Sequence, residues 1–276
     1  MNVSQLYIYP IKSLGGVSVS SANITDRGFE HDRRWMLIDD SNRFLSQREI
    51  GEMALLQVEI LQNGLKVYHK KDQTNFIEIA FGSTIPSKIT VDIWGFFCEA
   101  TLVRQDADKW FSSILNFPCR LVYMPDSTRL AIDEQYAITS NDVTSFSDGY
   151  PILMVSEASL EYLNNKMEEV LPMDRFRPNL VFTDGDAFIE DTMRAFTING
   201  CKFFGVKPSA RCVVTTINQD TIEKGKEPLK TLSVYRRKDA KVYFGENVIA
   251  AGTGTINIGD AVTILQTKES LFNNQE

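Results

Sequence analysis

The segment Val206-Lys207-Pro208-Ser209-Ala210-Arg211-Cys212 places a lone cysteine directly after an arginine, with a serine and a lysine close upstream. Positive neighbours favour thiolate over thiol, and the thiolate is the form that attacks electrophiles or binds soft metals. The β-branched run Val213–Ile217 follows and reads as a strand, so the cysteine stands at its mouth. The competing reading is an inert, half-buried thiol, the commoner fate of an intracellular cysteine. On these residues alone both readings stand.

Three further polar clusters carry groups suited to anions. Tyr9-Pro10-Ile11-Lys12-Ser13 ends a strand at a proline and presents an ammonium beside a hydroxyl. Asp32-Arg33-Arg34-Trp35 brings a guanidinium pair into a strand, and Asp174-Arg175-Phe176-Arg177-Pro178-Asn179 repeats basic and amide chemistry at another strand entrance. Arginine forks and lysine ammoniums are what a phosphate pocket requires. Taken singly, each cluster is more often a solvated loop or a structural ion pair. The two histidines have no helpful neighbourhood for catalysis: His31 lies among charges and His69 precedes Lys70-Lys71 in a hairpin. There is no Walker loop, and Gly252 and Gly254 do not form a dinucleotide fingerprint.

The elements that must position these groups are mostly short strands. In the first half they read as Leu6–Tyr9, Val17–Ile24, Trp35–Ile38, Leu56–Ile60, Phe76–Phe81, Ile89–Ile93, Ala100–Val103 and Arg120–Tyr123, with Asn63-Gly64 as a hairpin turn. In the second half they read as Leu180–Phe182, Ala195–Ile198, Cys201–Phe204, Val242–Phe244, Val248–Ala250 and Ala261–Leu265, with Asn199-Gly200 as another turn. Helical spacing predicts Asp108–Leu115, Ser156–Val170 with Ser156 as its cap, and Pro228–Arg236. The tail Gln266–Glu276 is polar and expected to fray. The pattern predicts a mainly β protein with α+β character and a barrel-like architecture. A polar stretch at Pro125–Asp148 suggests a boundary, giving domains 1–125 and 126–276.

Composition narrows the function classes. The 276 residues carry a formal net charge of −7, which excludes bulk nucleic-acid binding but not a local basic pocket. No apolar run reaches membrane-span length and no secretory signal opens the chain, so no membrane association is expected and the cytoplasm is the expected compartment. Four scattered cysteines, Cys98, Cys119, Cys201 and Cys212, form no zinc ribbon or iron–sulfur pattern.

In order along the chain, Y-P-I-K-S, D-R-R-W, Phe146-Ser147-Asp148-Gly149-Tyr150-Pro151, F-R-P-N, Asp186–Thr192, A-R-C-V-V-T-T, Glu227–Leu232 and Tyr235-Arg236 resemble the MOSC domain proteins. The likeness is to the two-part form, a MOSC β-barrel domain preceded by an N-terminal MOSC domain, as in the mitochondrial amidoxime-reducing component and its bacterial relatives. The resemblance implies molybdenum cofactor, with Cys212 as protein ligand to the metal and Arg211 on the pterin. It also implies that Lys12, Ser13, Arg33, Arg177 and Asn179 hold phosphate and pterin, with Ser209 and Lys207 nearby. Asp148 falls at an acidic position implied to touch the pterin or supply a proton. Ala210 replaces the serine of some relatives. The implied reaction is a two-electron reduction that removes oxygen from nitrogen in N-hydroxylated or other N-oxygenated small molecules. Electrons would come from a separate iron–sulfur or flavin donor, and pyridoxal phosphate is not expected to be bound. The alternative is a sulfur- or cofactor-carrier protein using Cys212, and a third reading is a β-rich protein without cofactor.

Overall fold

A computed structural model describes residues 1–272 and is mostly strand, with three α-helices among the described residues. The largest sheet has nine strands. Its main path runs Val17–Val19, Asn2–Ile8, Leu180–Thr183, Ile152–Ser156, Lys241–Ala251, Cys201–Arg211, Met193–Ile198, Val262–Thr267, and Arg237–Lys238 pairs beside Lys241–Ala251. A four-stranded sheet is built from Trp35–Ile38, Arg120–Tyr123, Phe96–Leu102 and Lys88–Ile93. Two three-stranded sheets and one two-stranded sheet complete the β structure of the described residues.

The barrel expected from the sequence is not formed. The nine-stranded sheet stays open, since its two ends, Val17–Val19 and Val262–Thr267, do not pair with each other. Asn2 makes a single isolated bridge to Ala261, and no ladder extends it. The N-terminal strand pairs antiparallel with Leu180–Thr183, from Asn2 opposite Thr183 to Leu6 opposite Leu180, with a bulge between Val3 and Gln5. Residues near the start of the chain are thereby placed beside the F-R-P-N loop.

Several expected elements differ in extent. The run Val213–Ile217 is not a strand: Val213–Thr216 forms a 3-10 turn, and the strand is Cys201–Arg211 upstream of it. Thr215 and Thr216 turn their hydroxyls onto the carbonyls of Cys212 and Val213, at 2.9 and 2.8 Å. These local bonds compete with the sheet ladder and override the β preference of the branched side chains. Val17–Ile24 is two strands, Val17–Val19 and Ser21–Thr25, on different sheets. The helices are Gln105–Leu115 (α1), Glu157–Asn164 (α2) and Leu229–Tyr235 (α3). Ser156 caps α2 by accepting from the Ser159 amide, as its position predicts. That helix ends six residues early, and the Asn164 side chain closes the following loop onto the Leu171 backbone.

The Asn63-Gly64 turn is displaced by one residue. Leu61 pairs with Gly64, leaving Gln62-Asn63 as the loop. Glycine is needed at 64 because a Cβ there would lie 2.4 Å from the Ile79 carbonyl oxygen. Asn199-Gly200 is the turn expected, with φ of 46° and 76°. The tail does not fray through 272: Lys268 bonds to the Thr192 carbonyl, and Phe272 lies 4.0 Å from the Arg236 guanidinium. Residues 273–276 lie outside the described set.

Two buried polar pairs tie segments together around the large sheet. Arg236 donates through both terminal nitrogens to Asp191, at 2.7 and 2.9 Å, with both side chains at most 3% exposed. These residues come from two of the motifs singled out in the sequence, so those motifs serve the fold. Glu246, 0% exposed, pairs with Lys268 but leaves Oε2 without a partner. Burial pushes its carboxyl up to about 8 despite the opposing Lys268 charge.

Removing one partner strands the other as an uncompensated buried charge. Arg236→Ala is therefore expected to lower unfolding free energy by about 3–5 kcal/mol in urea titrations, and a loss below about 1 kcal/mol would contradict that role. Glu246 titrates near 4.5 in the unfolded chain and higher when folded, so the folded form binds the extra proton between those values. Stability should fall as pH rises through that window, by at most about 1.4 kcal/mol per unit. Glu246→Gln should flatten the profile, and an unchanged slope would refute the assignment.

Candidate functional site

Main-chain bonds clamp four distant segments together. Lys12 donates its amide to the Trp35 carbonyl at 2.8 Å, Arg33 to Tyr9 at 2.8 Å, and Phe146 to Arg33 at 3.0 Å. The F-R-P-N loop joins through Asn179, whose amide donates to Leu153 and whose carbonyl accepts from Tyr7, at 2.8 and 2.9 Å. These bonds follow the chain's own breaks: Pro10 ends the first strand, and Met173–Phe176 is a 3-10 turn closed by Arg177 at φ 53°. Ser13 and Arg33 also have left-handed backbones, with φ of 68° and 49°. A non-glycine residue in this region carries strain of about 1–2 kcal/mol, and such residues concentrate at functional sites.

All nine residues picked out in the sequence line one cavity of about 290 Å³: Lys12, Ser13, Arg33, Asp148, Arg177, Asn179, Ser209, Arg211 and Cys212. Lys207 lines it too. The cavity lies where the Cys201–Arg211 strand runs out. Register shifts between Gly205 and Lys207, and between Pro208 and Ala210, break the ladder and accommodate a proline inside a sheet. Cys212 then leaves the strand and is half-buried. Cys98 and Cys119, by contrast, are buried, and burial pushes each thiol up to about 11.

The basic groups are not equivalent. Arg33 donates to Asp32 at 2.6 Å, to the Asn179 side-chain oxygen at 2.9 Å and to the Arg177 carbonyl at 3.3 Å. Two of its five N–H donors remain free. Lys12 donates to the Phe146 carbonyl at 2.7 Å and to Asp148 at 2.5 Å, leaving one proton. The Arg177 guanidinium donates to no protein partner among the described residues and lies 4.3 Å from the Tyr9 ring centroid, as does that of Arg33. Arg211 bonds to Ser209 at 3.1 Å and to the Phe176 carbonyl at 2.6 Å, but its Nε is buried and unpaired. Burial lowers Lys12 and Arg211 and brings Arg177 down to about 10. Arg177 thus stays cationic at neutral pH, and an arriving anion would offset the desolvation of all three.

Two assignments change once side chains are placed. Asn179 is 1% exposed and its amide is fully engaged: the nitrogen donates to the Tyr7 carbonyl and Asp32, and the oxygen accepts from Arg33 and the Leu153 amide. It positions Arg33 and has no donor left for a ligand. Burial favours a protonated Asp148, but the Lys12 charge and the bonds from Lys12 and Trp94 override it and hold the carboxyl below the usual range. Asp148 is thus an acceptor at neutral pH, and its side chain is 60% exposed.

The sequence reading did not single out Asp32, Trp94 or Arg48 as site residues. Asp32 is 0% exposed and accepts from Tyr9 N, Arg33 and Asn179. Its signal was its place ahead of Arg33 at a strand start. Trp94 donates its indole N–H to Asp148 at 3.1 Å, and Arg48 lies 4.1 Å from the Trp94 ring. An X-Gly pair between alternating runs marked that hairpin.

The donor set fits a phosphorylated anion carrying a soft metal. Unpaired donors remain on Arg177, Arg211, Arg33 and Lys12, and the Cys212 thiol lines the same cavity. No group of three or more His, Cys, Asp or Glu side chains among the described residues is arranged to hold a metal. A metal at Cys212 would need its other ligands from the bound group.

Comparison with known proteins agrees with this architecture. Residues 1–118 match the family of the MOSC N-terminal beta barrel domain, and residues 141–263 match the MOSC domain. The chain is 32% identical over 279 residues to mitochondrial amidoxime-reducing component 1 of Mus musculus, covering 95% of this chain and 82% of that protein. It is 30% identical to mitochondrial amidoxime reducing component 2 of Homo sapiens, covering 94% and 82%. It is also 28% identical to molybdenum cofactor sulfurase of Oryza sativa subsp. japonica, there matching 32% of the longer protein.

Inorganic pyrophosphate is a cofactor-independent probe of the anion shell. At low salt it should raise the melting temperature of the wild type, and Lys12→Ala and Arg177→Ala should each bind it roughly tenfold more weakly. Affinity unchanged from wild type in both variants would show that these groups do not share an anion.

Proposed function

The chain belongs to the family of two-part MOSC proteins that includes the mitochondrial amidoxime-reducing components, and from that premise we propose that it is a molybdenum-cofactor-dependent reductase of N-oxygenated small molecules. The observation carrying this reading is that the basic shell and Cys212 line one cavity. Lys12, Arg33 and Arg177 would take the phosphate and pterin, with Ser13 and Ser209 offering hydroxyls and Arg211 its unpaired Nε. Cys212 would supply a thiolate ligand, which suits a soft metal already held by sulfur.

Bound molybdenum cofactor supplies the two-electron redox chemistry. The chain's own residues bind, orient and move protons. Removing oxygen from an N-hydroxyl group consumes two electrons and two protons and releases water. Asp148, ionised, accepts a hydrogen bond from an N–H or O–H of the substrate. Lys12, bonded to Asp148, would pass one proton by way of that carboxylate to the departing oxygen, and solvent would supply the second. Asn179 and Asp32 position Arg33. Electrons enter from a separate iron–sulfur or flavin protein. The same reading divides the chain near residue 125, and no helix among the described residues is long and apolar enough to cross a membrane.

A carrier role for Cys212 is the second reading, favoured by its partial exposure and by the likeness to the sulfurase. The two separate by experiment. Expressed in a host that makes the cofactor, the wild type should hold about one molybdenum per chain and reduce an amidoxime with reduced methyl viologen. Cys212→Ser should lose at least about a hundredfold in turnover. Metal without turnover favours the carrier, and preparations free of molybdenum would defeat both cofactor readings.

A further inference from the structure

The strands Lys88–Ile93 and Phe96–Leu102 pair with Ile93 opposite Phe96, leaving Trp94-Gly95 as a two-residue turn. Both residues have positive φ, 58° and 83°. Such turns take asparagine or glycine at the first position, and a bulky aromatic there is an outlier. The backbone is held by the Gly95 amide donating to Asp92 at 2.7 Å. The indole is held by its bond to Asp148, by the edge of Phe44 with ring centroids 4.4 Å apart, and by Arg48 over the ring. Four contacts thus fix a strained tryptophan at the cavity wall, yet 45% of it is exposed. Phe96 and Phe97, on the same hairpin, are 68% and 70% exposed.

We propose that Trp94 is the platform on which a planar, aromatic part of the substrate stacks, making it a specificity-determining residue of the cavity. The proposal rests on the reductase reading for the chemistry of the substrate's other end. Its geometry is independent of the metal. The indole nitrogen and Lys12 both engage Oδ1 of Asp148, so Oδ2 is free to accept from the N–H of an amidine-type group. A substrate whose planar nitrogen end meets Asp148 brings an attached ring against the indole, because the two are hydrogen-bonded neighbours. Aromatic stacking gains most in offset or tilted geometries, which one open indole face permits. An aliphatic substrate satisfies Asp148 equally and gains nothing from Trp94.

The test uses full-length protein without an electron donor, so that nothing turns over. Benzamidoxime and acetamidoxime are titrated by calorimetry into wild type, Trp94→Gly, Trp94→Phe and Phe97→Ala. Trp94→Gly removes the ring and relieves the positive φ; Phe97→Ala, on the same hairpin but outside the cavity, controls for hairpin disruption. Benzamidoxime should bind roughly three- to tenfold more weakly to Trp94→Gly, with Trp94→Phe between and Phe97→Ala unchanged. Acetamidoxime should bind all four alike. Equal loss for both ligands, or no loss for either, overturns the platform. In the metal-loaded enzyme the aryl-to-methyl ratio of kcat/KM should fall by the same factor in Trp94→Gly. No reduction of either compound by a loaded wild type would defeat the reductase reading while leaving the binding result to judge Trp94.

Discussion

The site depends on one buried carboxylate. Asp32 accepts the Tyr9 amide from the end of the first strand, the Asn179 side chain from the F-R-P-N loop, and its neighbour Arg33. Burial pushes this carboxyl up, and those three donors work against the shift. A buried charge contributes little net stability against an apolar alternative, but it is strongly destabilising when a partner is removed. Its value here is geometric: residues 9, 33 and 179 come from three distant parts of the chain, and one carboxylate sets their spacing. Arg33 is then fixed on one side, with spare donors available to the cavity.

The remaining basic groups follow from that arrangement. Tyr9, held by Asp32, provides the ring on which Arg33 and Arg177 both rest. Two guanidiniums so close repel each other, and after burial the Arg33 charge is the factor that lowers Arg177. A chain with net charge −7 has thus gathered its cations into a small volume, where field lines concentrate and anions are drawn in. Cys212 reaches the same volume because bulges and a proline interrupt the strand before it.

Much of this was legible in the residues, and the failures have physical causes. Strand existence was readable from the short apolar runs at Trp35–Ile38 and Arg120–Tyr123, which recur with the same bounds. The basic clusters stood out because proline and charge interrupt apolar runs where a strand must stop, and it was the family resemblance that joined them to Cys212 and Asp148. Val213–Ile217 misled because side-chain hydroxyls, which a propensity cannot weigh, captured the backbone. Barrel closure was unreadable because it depends on whether the first and last strands of a sheet meet. Asn179 was expected to hold the ligand and does line the cavity, but its saturated amide could be known only from its partners. Trp94 was invisible for a related reason: its importance lies in Asp148 and Arg48, far away in sequence.

The central claim is that Cys212 and the basic shell form one binding unit for a metal-bearing anion. X-ray absorption at the molybdenum edge tests it most directly, on protein loaded in a cofactor-producing host. The account predicts a sulfur shell around the metal that loses one sulfur scatterer in Cys212→Ser, while the molybdenum retained per chain drops further in Lys12→Ala. An identical sulfur shell in wild type and Cys212→Ser would contradict it, because the thiol would then stand beside the metal without binding it.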